Sequence, residues 1–183
     1  MRFTPTEIPD VMLVEPQVFG DERGFFLETW SALKFAAAGI EVDFVQDNWS
    51  RSRRGVLRGL HYQLAVPQGK LVRAVRGSVF DVAVDLRRSS PTFGRWVGRV
   101  LDARSRHAMW IPPGFAHGFL VLEDDTDFVY KCSGRYDPSS ERTLAWNDAS
   151  VGIDWPLDGI GEPTLSEKDR TRAASFATAE TYA

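Results

Sequence analysis

The stretch VFDVAVDL, Val79–Leu86, decides the fold. In it Phe80, Val82, Val84 and Leu86 alternate with Val79, Asp81, Ala83 and Asp85, a period of two that marks a β-strand, because successive side chains point to opposite faces. One face carries large apolar groups and belongs to a core. The other carries two carboxylates beside small residues, which suits a cavity or solvent. Working outward, further short segments rich in Val, Ile, Phe, Trp and Tyr are cut roughly every eight to twelve residues by Gly, Pro, Asp or Ser, the spacing of an antiparallel sandwich or barrel. Strands are predicted at Phe25–Trp30, Asp43–Asn48, Leu57–Gln63, Leu71–Val75, Trp96–Leu101, Ala108–Ile111, Gly118–Leu122, Phe128–Ser133 and Thr143–Trp146. Helices are predicted only at Ser31–Ala38, closed by Gly39, and around Ser166–Ala174, where Ser166 caps and Glu167 and Asp169 favour the first turn. So many strands must hide their edges, by closing into a barrel or by pairing with another subunit. Homo-oligomerisation is therefore expected. The stretch from about Asp158 to Ala183 is expected to pack outside or fray, with disorder beyond Phe176.

Composition bounds the partners. The 183 residues, 43% hydrophobic, fit a single domain over residues 1–183. Lys and Arg total 22 against 25 Asp and Glu, a net charge of −3, so there is no basic excess for nucleic acid. No apolar run approaches the roughly 20 residues of a membrane span. Cys132 is the single cysteine and cannot form an internal disulfide, and the start shows no charged region followed by an apolar one. A cytoplasmic location is expected.

Polar residues that interrupt strand patterns are the informative ones, because burying them is unfavourable unless they are paired or used. VLRGLHYQ sets Arg58, His61 and Gln63 among apolar neighbours; QGKLVRAV sets Lys70 and Arg73 at a strand start. In WIPPGFAHGF the turn at Pro112, Pro113 and Gly114 delivers His117 between aromatic residues. In FVYKCSGRYDPSSE, Tyr130 and Cys132 point one way and Val129 and Lys131 the other. Each has a plain structural reading as well: a packed imidazole, a solvated edge, an amphipathic tyrosine, an inert buried thiol. A metal is not expected, since His61 and His117 lack a second ligand at the usual short spacings. Walker, dinucleotide-binding and nucleophile-elbow motifs are absent.

Ten segments occur in fixed order: FGDERGFFLE, FVQDN, GVLRGLHYQ, QGKLVR, VFDVAVDLR, SPTFG, WIPPGFAHGF, YKCSGRYDPSSE, WND and LSEKD. Through them the chain resembles the dTDP-4-dehydrorhamnose 3,5-epimerase family from about Ile8 to Asp169. The resemblance implies an all-β, cupin-like antiparallel jelly-roll barrel with a few short peripheral helices, and an isomerase working without metal or cofactor. The difference from metal cupins is visible at Gln63, which stands two residues after His61. The implied substrate is dTDP-4-dehydro-6-deoxy-D-glucose, inverted at C3 and C5 to dTDP-4-dehydro-L-rhamnose in dTDP-L-rhamnose biosynthesis.

By the same resemblance His61 is the general base, Asp169 orients its ring, Tyr130 is the acid on the opposite side of the sugar, and Lys70, with His117, lies near the developing oxyanion. Arg23, Glu28, Gln46, Asp47, Asn48, Arg58, Glu141 and Lys168 match positions that hold the nucleotide sugar, and Tyr136 stacks on the base. The family's N-terminal segment crosses to a partner in a homodimer, so Arg23 and Glu28 would complete the neighbour's site. These residue types suit the chemistry. C–H bonds beside a ketone are acidic only through the carbonyl, so inversion needs a base, a donor for the enolate oxygen and an acid on the other face. A single-site epimerase of a secondary-metabolite pathway would share these residues, and a non-catalytic sugar-nucleotide-binding cupin would bind without turnover.

Overall fold

In the computed structural model, which describes residues 1–183, the chain runs β1 (Arg2–Pro5), β2 (Met12–Glu15), β3 (Val18–Asp21), β4 (Gly24–Leu27), α1 (Ala32–Ala37), β5 (Gln46–Ser52), β6 (Leu57–Gln63), β7 (Lys70–Arg76), β8 (Ser78–Asp85), β9 (Trp96–Asp102), β10 (Ala108–Ile111), β11 (Phe115–Val121), β12 (Thr126–Cys132), β13 (Glu141–Thr143) and α2 (Glu167–Thr171). Two antiparallel sheets face each other, one ordered β1-β2-β10-β7-β12-β5 and the other β13-β6-β11-β8-β9. This is the jelly-roll architecture expected from the sequence, with both helices at its periphery. The inner core joins the sheets through residues such as Val72, Met109 and Phe128 on one side and Val79, Ala83 and Phe119 on the other.

The strand that decided the fold is β8, and here the structure corrects the expectation that one of its faces meets cavity or solvent. Both faces are buried. Val79 and Ala83 lie in the inner core, while Val82, Val84 and Leu86 pack in a second cluster with Trp155 and Ala179. The C-terminal segment supplies that second layer. It is therefore not frayed beyond Phe176: Ala179 is buried, the Tyr182 hydroxyl donates to the Gln63 carbonyl at 2.6 Å, and Tyr62 donates to the Glu180 carbonyl at 2.7 Å. Burying a large aliphatic side chain is worth about 1.5–3 kcal/mol, and several together outweigh the entropy of ordering a short tail.

Other differences have local causes. β11 begins at Phe115 rather than Gly118, because Gly114 (φ +97) completes the turn and Phe115 and Ala116 are buried; His117 thus sits within a strand, not in the turn. The predicted Phe25–Trp30 strand shrinks to β4, which pairs only with β3 in an exposed hairpin. β1, β2 and β3 were not legible as strands; β1 is an outer strand zipped by Arg2, whose Nε donates to Glu15 Oε2 at 2.5 Å. The C-terminal helix is one turn, with Ser166 as its cap, accepting from the Asp169 N–H at 3.0 Å.

Candidate active site

The site begins with an irregularity in β6. Opposite β11, His61 pairs with His117 and Arg58 with Phe119, so β6 has one more residue than its partner between these positions. The extra residue shifts the alternation, and Arg58 and His61, three apart, both line one cavity of about 390 Å³. Gly59 makes this possible. At φ +118, a Cβ there would lie 2.7 Å from Gly118 Cα and from the His117 carbonyl, so no other residue fits the crossing.

His61 Nε2 lies 2.5 Å from Asp169 Oδ1. With Nε2–H donating to the carboxylate, the free lone pair of the neutral ring sits on Nδ1. Burial by itself raises the Asp169 carboxyl pKa, but the His61 bond, the Ser166 hydroxyl and the Gly59 N–H together hold it below the ordinary value. Asp169 is thus a carboxylate fixed against the imidazole edge.

Tyr130, on β12 of the facing sheet, lines the same cavity, and Lys70 enters from β7. Burial pushes the Tyr130 hydroxyl up, with the Cys132 thiol adding to the shift, so the phenol keeps its proton. Burial pushes the Lys70 ammonium down, opposed by Cys132, Asp81 and Glu141. His61, Lys70 and Tyr130 also line a second cavity of about 270 Å³. The three groups therefore stand where the two cavities meet, with an imidazole from one sheet and a phenol and an amine from the other.

The second cavity is bordered by a preassembled polar network. The Tyr136 hydroxyl donates to Glu141 Oε2 at 2.8 Å, the Tyr136 N–H donates to Gln46 Oε1 at 3.0 Å, and Gln46 Nε2 donates to Asn48 Oδ1 at 2.9 Å. Lys168 pairs with Glu141. Tyr136 is half exposed, a ring free to stack. Arg58, which lines the larger cavity, spends Nε and Nη2 on Ser52 Oγ, at 3.2 and 3.0 Å, leaving Nη1 for an anion.

Asp47 lines neither cavity, and Arg23 and Glu28, expected at a partner's site, line neither cavity of their own chain. Asp47 alternates to the outer face of β5, where it accepts from Lys131 at 3.0 Å and is 71% exposed. Arg23 is paired with Asp21 in the exposed hairpin, and Glu28 with Lys34. His117, in contrast, does line the larger cavity, and its Nε2 meets Asp81 Oδ2 at 2.8 Å. Asp81 was missed as a site residue, although its place on the small-residue face of Val79–Leu86 was the signal for it. No group of three or more His, Cys, Asp or Glu side chains is arranged to hold a metal ion, and no helix is long and apolar enough to cross a membrane. The Cys132 thiol, raised chiefly by burial, faces Asn48 Nδ2 at 3.5 Å.

Comparison with known proteins agrees with this arrangement. The family model described as dTDP-4-dehydrorhamnose 3,5-epimerase matches residues 5–177. A dTDP-4-dehydrorhamnose 3,5-epimerase of Pseudomonas aeruginosa is 57% identical over 183 residues, 100% of this chain and 99% of that protein. Among solved structures, a dTDP-6-deoxy-D-glucose-3,5-epimerase from Legionella pneumophila in complex with dTDP-4-keto-L-rhamnose superposes with a TM-score of 0.90 at 49% identity, covering 94% of this chain and 91% of that one. A 3'-monoepimerase from Streptomyces bikiniensis in complex with dTDP-quinovose gives 0.86 at 38% identity, covering 93% and 86%. By its sequence, its fold and the side chains gathered between its sheets, this chain belongs to the dTDP-4-dehydrorhamnose 3,5-epimerase family.

Proposed function

We propose that this chain is an isomerase that inverts C3 and C5 of dTDP-4-dehydro-6-deoxy-D-glucose, giving dTDP-4-dehydro-L-rhamnose for dTDP-L-rhamnose biosynthesis. The observation that carries the reading is the opposition of His61, on one sheet and bonded to Asp169 of α2, to Tyr130 on the other sheet, with Lys70 lining the same cavity. His61 Nδ1 takes the proton from the carbon beside the ketone, and the electron pair moves to the C4 oxygen. The Lys70 ammonium stabilises that enolate, and His117 lines the same wall. Asp169 stabilises the imidazolium that forms. The Tyr130 hydroxyl returns a proton to the opposite face, inverting the carbon, and both groups re-equilibrate with solvent before the second inversion.

Arg58 suits the diphosphate, whose oxygens match a planar guanidinium. Tyr136 stacks on the base, while Gln46, Asn48, Glu141 and Lys168 hold the nucleoside end. Residues 1–183 act as one domain in the cytoplasm, and two copies form a homodimer. Support for the dimer comes from the β3–β4 hairpin, which leaves Phe19, Phe25 and Phe26 at 54%, 60% and 71% exposure and holds Arg23 away from its own cavity. The hairpin crosses to the second copy, delivering Arg23 and Glu28 to that copy's site.

The test is incubation with the substrate in heavy water without added metal, followed by mass and NMR analysis. Deuterium at C3 and C5 with both centres inverted is expected. Label and inversion at one carbon would identify a single-site epimerase, the activity named for the Streptomyces bikiniensis neighbour. No label at either carbon would leave a sugar-nucleotide-binding protein.

A further inference from the structure

Behind the cavity wall lies a carboxylate to which the mechanism above gives no task. Asp81 is completely buried on β8. Its Oδ2 accepts from His117 Nε2 at 2.8 Å, yet its Oδ1 is buried with no hydrogen-bond partner at all. Half-satisfied buried carboxylates are rare because each is strongly unfavourable, and they persist where the charge is used. No arginine neutralises this one. Lys70 is likewise buried and enters no ion pair, and burial pushes its ammonium down.

The groups that face Lys70 come from every neighbouring element. From β12 come Tyr130 and Cys132, both kept protonated by burial. From β13 comes Glu141, whose charge is already shared by Lys168 and Tyr136. His61 on β6 and His117 on β11 are imidazoles already bonded to Asp169 and Asp81. Lys70 and His117 line the same cavity, and Asp81 on β8 stands directly behind the His117 ring with one carboxylate oxygen unspent. We propose that Asp81 is a positioning residue for the reaction: one oxygen orients His117 in the cavity wall, and the charge of the other keeps the Lys70 ammonium in place for the enolate. This rests on the epimerase reading only for its effect on turnover.

The chain has four lysines, Lys34, Lys70, Lys131 and Lys168, so 13C labelling at the lysine ε-carbon lets Lys70 be titrated by NMR in the absence of substrate, whether or not the epimerase reading holds. In Asp81→Asn the Lys70 midpoint is expected to fall by about one pH unit, the range for losing a neighbouring opposite charge. Turnover should fall about tenfold or more with KM and dTDP binding within about twofold, and the alkaline limb of its pH profile should move down with Lys70. A Lys70 midpoint that does not move, or unchanged turnover, overturns the proposal. Should Asp81→Asn fail to fold, His117→Gln decides: it leaves the Asp81 charge in place, so the Lys70 midpoint must hold or rise, and a fall would assign the control to His117 instead.

Discussion

The two histidine–aspartate pairs, His61–Asp169 and His117–Asp81, are built from the same side chains on directly paired positions of adjacent strands, and they differ in almost everything else. The His61 side chain is 30% exposed and that of His117 6%. Asp169 arrives from a capped turn of helix 108 residues away in sequence and is surrounded by donors; Asp81 comes from the next strand and has a single donor. The environments push the two carboxyls in opposite directions. Asp169 is held below the ordinary range, whereas burial raises Asp81 against the opposing pull of His117 and Lys70. His117 itself is pushed down by burial, against the opposing pull of Asp81. A histidine with a carboxylate partner is therefore not one device. The open imidazole is accessible to a ligand, while the closed one lines the cavity from a buried position.

The sharpest way to break this comparison is to remove the open imidazole. His61→Ala should lower turnover by about 10⁴-fold, the upper range for a general base, while dTDP affinity measured by calorimetry stays within about threefold. If affinity collapses with turnover, His61 is a packing residue and the contrast with His117 fails.

Next in size is a contrast in stability, read by thermal unfolding. A carboxyl depressed in the fold stabilises it above the unfolded-state pKa, and that stability is lost as pH falls through the folded value. Asp169→Asn should therefore lower the Tm at pH 8 by about 3–6 °C, corresponding to ~1–2 kcal/mol in a chain of this size. The difference from the parent should close below about pH 4. Asp81 has the opposite sign. A carboxyl raised in the fold opposes folding when ionised, so Asp81→Asn should leave the Tm at pH 8 unchanged or higher. A drop like that of Asp169→Asn would show that the two carboxylates play the same part.

The smallest effect is expected at Cys132, which borders the cavity beside Lys70 without joining either pair. Cys132→Ala should keep turnover within about threefold, and thiol reagents at pH 7 should react slowly, because the buried thiol resists ionisation.

Much of this was legible in the residues. The alternation of Val79–Leu86 identified a strand, and the boundaries of Leu57–Gln63 and Ala108–Ile111 were read as the structure has them. The motifs named His61, Lys70, Tyr130 and Asp169, and all four line the larger cavity. Less visible were features that depend on a partner far along the chain. The N-terminal strands are only four residues long and are held by pairing with a neighbouring edge. The tail beyond Phe176 looks polar enough to fray, yet it is ordered by the apolar face of β8 that it covers. Asp47 and Asn48 read as a pair in FVQDN, but strand alternation sends one to each side of the sheet.

Sequence alone determined the all-β class, the family and the candidate side chains that meet in the cavity, because period-two patterning and ordered motifs are local properties of the chain. Only the tertiary structure decided which histidine is open and which is closed, that Arg58 and His61 share a cavity across the Gly59 irregularity, and that Asp81 keeps a carboxylate oxygen without a partner. The physical reason is the same in each case: burial and hydrogen-bond satisfaction are set by what packs against a residue, and those neighbours come from strands distant in sequence.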